Sequence, residues 1–61
     1  MNGFTYNKEK KEIIIKDGLH SVIWKNVEEN IGQEAIKILK EGNGVDDYLN
    51  KNNCKRFWGN N

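Results

Sequence analysis

The sequence has one cysteine, one histidine and no proline. With Cys54 alone, no disulfide can form within the chain, and Cys54 and His20 cannot supply the four ligands of a structural zinc site. Without proline, no residue imposes a sharp boundary between elements. We therefore expect a fold that is stabilised by neither a disulfide nor a metal.

Long apolar runs are missing as well. No run approaches the roughly 18 residues that span a bilayer, and the N-terminal segment lacks the apolar stretch of a secretory signal. A single cysteine suits a reducing compartment. These features predict a cytoplasmic protein with no membrane partner.

With 61 residues, the chain has room for one domain, residues 1–61. So short a chain buries only about 60% of its unfolded surface, so docking onto a partner or homodimerisation would help to stabilise it. The net charge is +1, with both signs mixed along the chain, which is weak support for nucleic-acid binding. The abundance of Asn, Lys and Ile indicates AT-rich codons and favours a low-GC bacterium, its phage or another mobile element.

The pattern predicts an α+β fold with three parts. Residues 4–16 form a β-hairpin, in which Phe4 and Tyr6 alternate with polar residues and a β-branched run precedes the turn at 17–18. The hairpin packs on a long amphipathic helix over residues 20–41, and a short C-terminal helix covers residues 45–58. The apolar stripe of the long helix comprises Ile23, Val27, Ile31, Ala35, Ile38 and Leu39.

Gly32 leaves two interpretations of this helix open. Glycine in a helix interior costs about 1 kcal/mol relative to alanine. Either the helix continues through Gly32, or residues 30–32 form a turn between two shorter helices. The stripe keeps its phase across Gly32, which favours a continuous helix.

None of the candidate catalytic groups forms a site. Neighbours such as His20 and Ser21 at a helix start point about 100° apart, so we interpret them as part of an N-terminal capping region. The acidic pairs at 28–29 and 46–47 diverge into solvent on helix surfaces. Cys54 precedes two cations that would lower its pKa, but we interpret it as a small buried residue. Residues 42–44 stop a helix and lack the Lys-Ser/Thr of a phosphate loop. No enzyme activity, cofactor or metal is expected.

The segment 51–58 combines cations with aromatic rings. Such a segment can anchor the core, contact a protein or contact a nucleic acid, since Trp and Arg are frequent in protein hot spots and aromatic rings also stack on bases. The predicted partner-binding residues are Lys51, Lys55, Arg56, Phe57, Trp58 and Trp24.

Residues 34–42 followed by residues 45–49 resemble the first half of a bacterial helix-turn-helix. The resemblance implies a turn at Asn52-Asn53 and a recognition helix over residues 54–58, which is short for a major groove. A ribbon-helix-helix dimer, with the strand around Ile14 paired across the two-fold axis, is a second DNA-binding alternative. The sequence favours a small non-enzymatic regulator or inhibitor that binds a protein, with a DNA-binding transcriptional regulator as the alternative.

Overall fold

The computed structural model describes residues 3–60. They form four strands and two helices in the order β1, β2, β3, α1, α2, β4. The bounds are β1 Gly3–Asn7, β2 Glu12–Asp17, β3 His20–Lys25, α1 Glu29–Lys40, α2 Asp46–Lys51 and β4 Lys55–Asn60.

The strands make one antiparallel sheet in the order β1-β2-β3-β4. The first three strands form consecutive hairpins, and the segment containing both helices then returns the chain so that β4 pairs with β3. Helix α1 packs on β1, where the ring of Tyr6 lies against Gly32. The predicted α+β class and the packing of the hairpin on a helix are both confirmed.

Alternation along the strands divides the side chains between two faces. In the central register, Tyr6, Ile13 and Trp24 are cross-strand neighbours that point toward the helices. We call this side the inner face and the opposite side the outer face. The inner face and the helices enclose a core of Ile13, Trp24, Val27, Ala35, Leu39, Val45, Leu49 and Cys54.

The prediction of a helix over residues 20–41 is wrong in its first third. His20–Lys25 is strand β3, and α1 begins only at Glu29. Ile23 and Val27 have helical spacing, yet Ile23 lies on a strand and Val27 in the linker after it. Asn26 adopts a positive φ of 65°, which ends the strand and redirects the chain toward the helix.

The predicted C-terminal helix over residues 45–58 is also too long. α2 ends at Lys51, Asn53 takes a φ of 65°, and β4 then begins at Lys55. Asn53 thus adopts the left-handed conformation that asparagine tolerates, and the Cys54 N–H donates to the Leu49 carbonyl at 3.0 Å.

These corrections remove the structural basis of both DNA-binding resemblances. The segment expected to be a recognition helix, residues 54–58, leads into and forms part of β4. The strand expected to pair across a ribbon-helix-helix dimer is β2, whose two edges are already paired with β1 and β3.

Two glycines behave as the pattern predicts. α1 runs unbroken through Gly32, so the alternative of a turn at residues 30–32 is wrong. Gly18, with φ 66°, turns the chain between β2 and β3. Among the described residues, neither helix is long and apolar enough to cross a membrane.

Candidate partner-binding surface

Strand β4 carries four of the six predicted contact residues and splits them between the two faces of the sheet. Arg56 and Trp58 are cross-strand neighbours of the inner-face residues Trp24 and Val22. Lys55 and Phe57 therefore alternate onto the outer face. Phe57 is 45% exposed and Trp58 is 69% exposed, so neither ring anchors the core.

The other two predicted residues lie elsewhere. Lys51 ends α2, with its ammonium 5.9 Å from the ring centroid of Tyr48. Trp24 is 1% exposed and belongs to the core. Because Trp24 is buried, it can contribute to partner binding only as part of the wall of the cleft beside β4.

A cleft of about 270 Å³ opens beside β4 on the inner face. It lies where the sheet meets the segment between the two helices, and most of its lining is apolar. Asp17, Asp46 and Arg56 add charge to it. The lining residues are Ile15, Asp17, Val22, Trp24, Leu39, Gly44, Val45, Asp46, Arg56 and Trp58.

Arg56 orders this edge of the cleft through two contacts. Its Nη1 donates to Asp46 Oδ2 at 3.1 Å, which links β4 to the start of α2. Its guanidinium carbon also lies 5.3 Å from the ring centroid of Trp58, a cation–π distance. The exposed indole is thus held against a charged group that already has a carboxylate partner.

A second exposed apolar side chain lies at the same end of the sheet. Leu19 follows Gly18 in the β2–β3 turn and is 83% exposed. This turn follows Asp17, which lines the cleft. Within residues 3–60, three large apolar side chains are exposed: Leu19 and Trp58 lie at this end of the sheet, and Phe57 lies on the outer face. We call the cleft, Leu19 and Trp58 the cleft end.

Sequence reasoning missed the contribution of the β2–β3 turn. Leu19 stands between Gly18 and His20, where an apolar residue in a hairpin turn has no core to enter. That position was a usable signal, hidden because residues from 20 onward were assigned to a helix. Only the register of the sheet places Ile15, Val22 and Trp58 in one cross-strand row on the inner face.

The structure separates the groups considered for catalysis. The capping interpretation of His20 and Ser21 is wrong, because both lie in β3. As neighbours on a strand they point to opposite faces, with His20 exposed and Ser21 4% exposed.

The acidic pairs make separate surface ion pairs. Glu28 lies 3.0 Å from the Lys11 ammonium and Glu29 lies 4.0 Å from that of Lys8, while Asp46 is paired with Arg56. In residues 3–60, no cluster of three or more His, Cys, Asp or Glu side chains suits a metal ion.

Cys54 is buried, as the sequence predicted. Its Sγ lies 3.5 Å from the carbonyl oxygen of Asn26, within reach of a weak S–H hydrogen bond. Burial raises the pKa of the Cys54 thiol, so the cations at 55 and 56 do not activate it.

Comparisons of the chain with protein-family models, with curated proteins and with solved structures found no match.

Proposed function

We propose that this chain is a non-enzymatic regulator or inhibitor that binds a protein partner through the cleft end. The observation that carries the proposal is Trp58, an indole 69% exposed beside an apolar cleft, whereas only eight apolar residues among those described are buried. A small domain gains stability by burying such a side chain. Its exposure is therefore best explained by a contact with another molecule.

The contact geometry resembles that of protein hot spots. Trp and Arg are the residues most enriched there, and they act best beside pockets that exclude water. Trp58 and Arg56 stack on each other, and the Asp46 carboxylate already balances the charge of Arg56. A partner side chain that enters the cleft would therefore meet apolar walls without leaving Arg56 unpaired.

The DNA-binding alternative has less support. β4 carries cations, but Asp17 and Asp46 lie at the same end of the molecule as Trp58 and would face a phosphate backbone. Phosphate contacts also make affinity fall steeply with salt. A mobility shift with mixed duplex DNA at low salt tests this alternative, and a shifted band would support it against the proposal.

Lysate capture with paired variants tests the protein-binding proposal. The composition directs the choice of lysate to a low-GC bacterium. Trp58→Ala should weaken capture of the partner by about 30-fold or more, the loss expected for a hot-spot tryptophan. Glu34→Ala is the control, because it truncates an exposed side chain of α1 that belongs neither to the cleft end nor to the outer face of the sheet.

The outcome depends on capture and melting temperature together. The proposal requires that Trp58→Ala lose the partner while its melting temperature stays near that of the parent chain. Equal capture by the parent chain and Trp58→Ala would contradict it. A large drop in melting temperature would instead assign Trp58 a role in stability.

Two further parts of the proposal concern the location of the protein in the cell and its oligomeric state. A cytoplasmic location is proposed from the lone cysteine and is checked by fractionation of the source cells. Homodimerisation also stays a proposal, and light scattering after size-exclusion chromatography distinguishes the 7.1 kDa monomer from a dimer.

A further inference from the structure

The outer face of the sheet carries an apolar row that neither helix covers. Ile14, Ile23 and Phe57 are cross-strand neighbours on β2, β3 and β4, and Thr5 continues the row onto β1. Both helices pack against the inner face, and none of the three apolar residues belongs to the core or to the side chains packed around it. Within residues 3–60, this row therefore faces outward.

Positive charge borders this row. Lys25 and Lys55 lie directly opposite each other on β3 and β4. Like charges in a cross-strand pair are destabilising. Glu12 approaches Lys25 at 3.8 Å, whereas no carboxylate of the described residues lies within 4.0 Å of Lys55. The register thus places two lysines directly opposite each other, and the one nearby carboxylate, Glu12, lies on β2 beside Lys25 and on the side away from Lys55.

The remaining charge on the outer face has the same sign. Lys16 lies on β2 at the other end of the face, beside Ser21 and Gly59 in the register. Three lysines thus surround the apolar row against a single glutamate. An incoming carboxylate would relieve the repulsion between Lys25 and Lys55, and apolar groups next to it would cover the row.

The same observations argue against two other occupants. A second copy docked face to face would bring lysines against lysines. A single-stranded nucleic acid needs a free ring for stacking, but Phe57 is the one aromatic residue of this face and the Lys25 ammonium lies 5.2 Å from its ring centroid. We propose that the outer face is an interaction surface, separate from the cleft end, that binds an acidic protein segment with apolar side chains.

Binding of a synthetic peptide that alternates glutamate and leucine tests this proposal. Its affinity is measured by calorimetry at low and at physiological salt. The amide shifts of Ile14, Ile23 and Phe57 are followed by NMR. The control ligands are a peptide with glutamine in place of glutamate and a single-stranded oligonucleotide.

Charge-reversal variants locate the site. Lys55→Glu and Lys25→Glu should each lower the affinity for the acidic peptide by about tenfold at low salt. Lys40→Glu is the matched control, since it makes the same change of net charge on an exposed residue of α1, and it should change the affinity less than about twofold. Lys55→Gln provides a second variant if a charge reversal disturbs folding.

The possible results either support or overturn the proposal for the outer face. Salt-dependent binding of the glutamate peptide, lost with Lys55→Glu and retained with Lys40→Glu, supports the proposal. Absence of binding at low salt, an equal loss of affinity in Lys55→Glu and in the control Lys40→Glu, or tighter binding of the oligonucleotide would overturn it. Trp58→Ala should leave this affinity unchanged, so failure of the outer-face proposal and failure of the cleft-end function give different results.

Discussion

At the scale of single residues, Gly32 is where the helix comes closest to the sheet. A β-carbon at this position would lie 2.6 Å from two ring carbons of Tyr6. The ring cannot easily retreat, because the Tyr6 hydroxyl donates to the Val27 carbonyl at 2.7 Å. The cost of glycine in a helix is thus offset by a close approach that alanine would prevent.

We therefore expect Gly32→Ala to destabilise the protein. Alanine gains about 1 kcal/mol of helix propensity, whereas overpacking costs about 1–3 kcal/mol and breaking the Tyr6 hydrogen bond adds to that cost. The free energy of unfolding in urea should fall by about 1–2 kcal/mol. Gly44→Ala is the control, since nothing lies within 4 Å of its added β-carbon. A more stable Gly32→Ala variant would show that the ring moves freely.

Tyr6 and Cys54 make stability depend on alkaline pH. Burial raises the pKa of Tyr6 above its ordinary value of 10.0, with smaller contributions from Glu29 and Glu28. Burial likewise raises the pKa of Cys54 above 9.0. Both groups favour their neutral form in the folded state, so their contribution is complete below these values and is lost as pH rises through the higher folded-state pKa.

The free energy of unfolding should consequently decrease as the pH rises beyond about 9. Cys54→Ala should remove the part of the decrease that starts near 9.0, and Tyr6→Phe the part that starts near 10.0. Urea denaturation across this range at constant ionic strength measures both. An unchanged slope in both variants would assign the alkaline loss to other groups.

At the scale of elements, the hairpin and the class of fold follow from local patterns. The alternation of Phe4 and Tyr6 and the turn at Gly18 define β1 and β2 without help from the rest of the chain. The helix predicted from the apolar stripe was wrong at Ile23. Apolar residues three or four positions apart are expected in a helix, but here the same spacing arose by chance across a strand, a linker and a helix. The competing signal for a strand was the short run of β-branched and aromatic residues Val22, Ile23 and Trp24, which follows a turn.

The candidate site was only partly predictable for a related reason. The segment 51–58 was identified from its composition, which depends on no long-range contact. Its division into an inner and an outer set depends on the pairing of β4 with β3, whose paired residues lie 30 to 40 positions apart in the sequence. Neither the burial of Trp24 nor the nearness of Leu19 to the cleft can be obtained without that pairing.

The pairing of β3 with β4 also predicts that one lysine lowers stability. Lys55→Glu would turn the repulsive pair with Lys25 into an attractive one, and cross-strand charge pairs contribute about 0.2–1 kcal/mol. We expect Lys55→Glu to unfold at higher urea than Lys55→Gln, and Lys55→Gln at higher urea than the parent chain. The reverse order would mean that the two ammonium groups do not interact. Lys55→Glu should thus raise the stability of the protein while lowering its affinity for the acidic peptide.

At the scale of the whole molecule, stability is small and shared among few contacts. A chain of this length is expected to have about 3–9 kcal/mol in total. Strand β4 pairs with β3 along six residues, from Lys55 opposite Lys25 to Asn60 opposite His20. Backbone hydrogen bonds contribute about 0.5–1.5 kcal/mol each, so the loss of this ladder is comparable with the entire stability.

A chain shortened to residues 1–54 should therefore be unfolded at room temperature, even though it keeps both helices and three strands. Circular dichroism and the emission of Trp24 measure the outcome. Full-length Trp58→Ala is the reference, because Trp24 is then the single tryptophan in both chains. The reference should show the blue-shifted emission of a buried indole, and the shortened chain that of a solvated one. Cooperative unfolding of the shortened chain would mean that β4 is an appendage, free to change its pairing when a partner binds, rather than part of the folding unit.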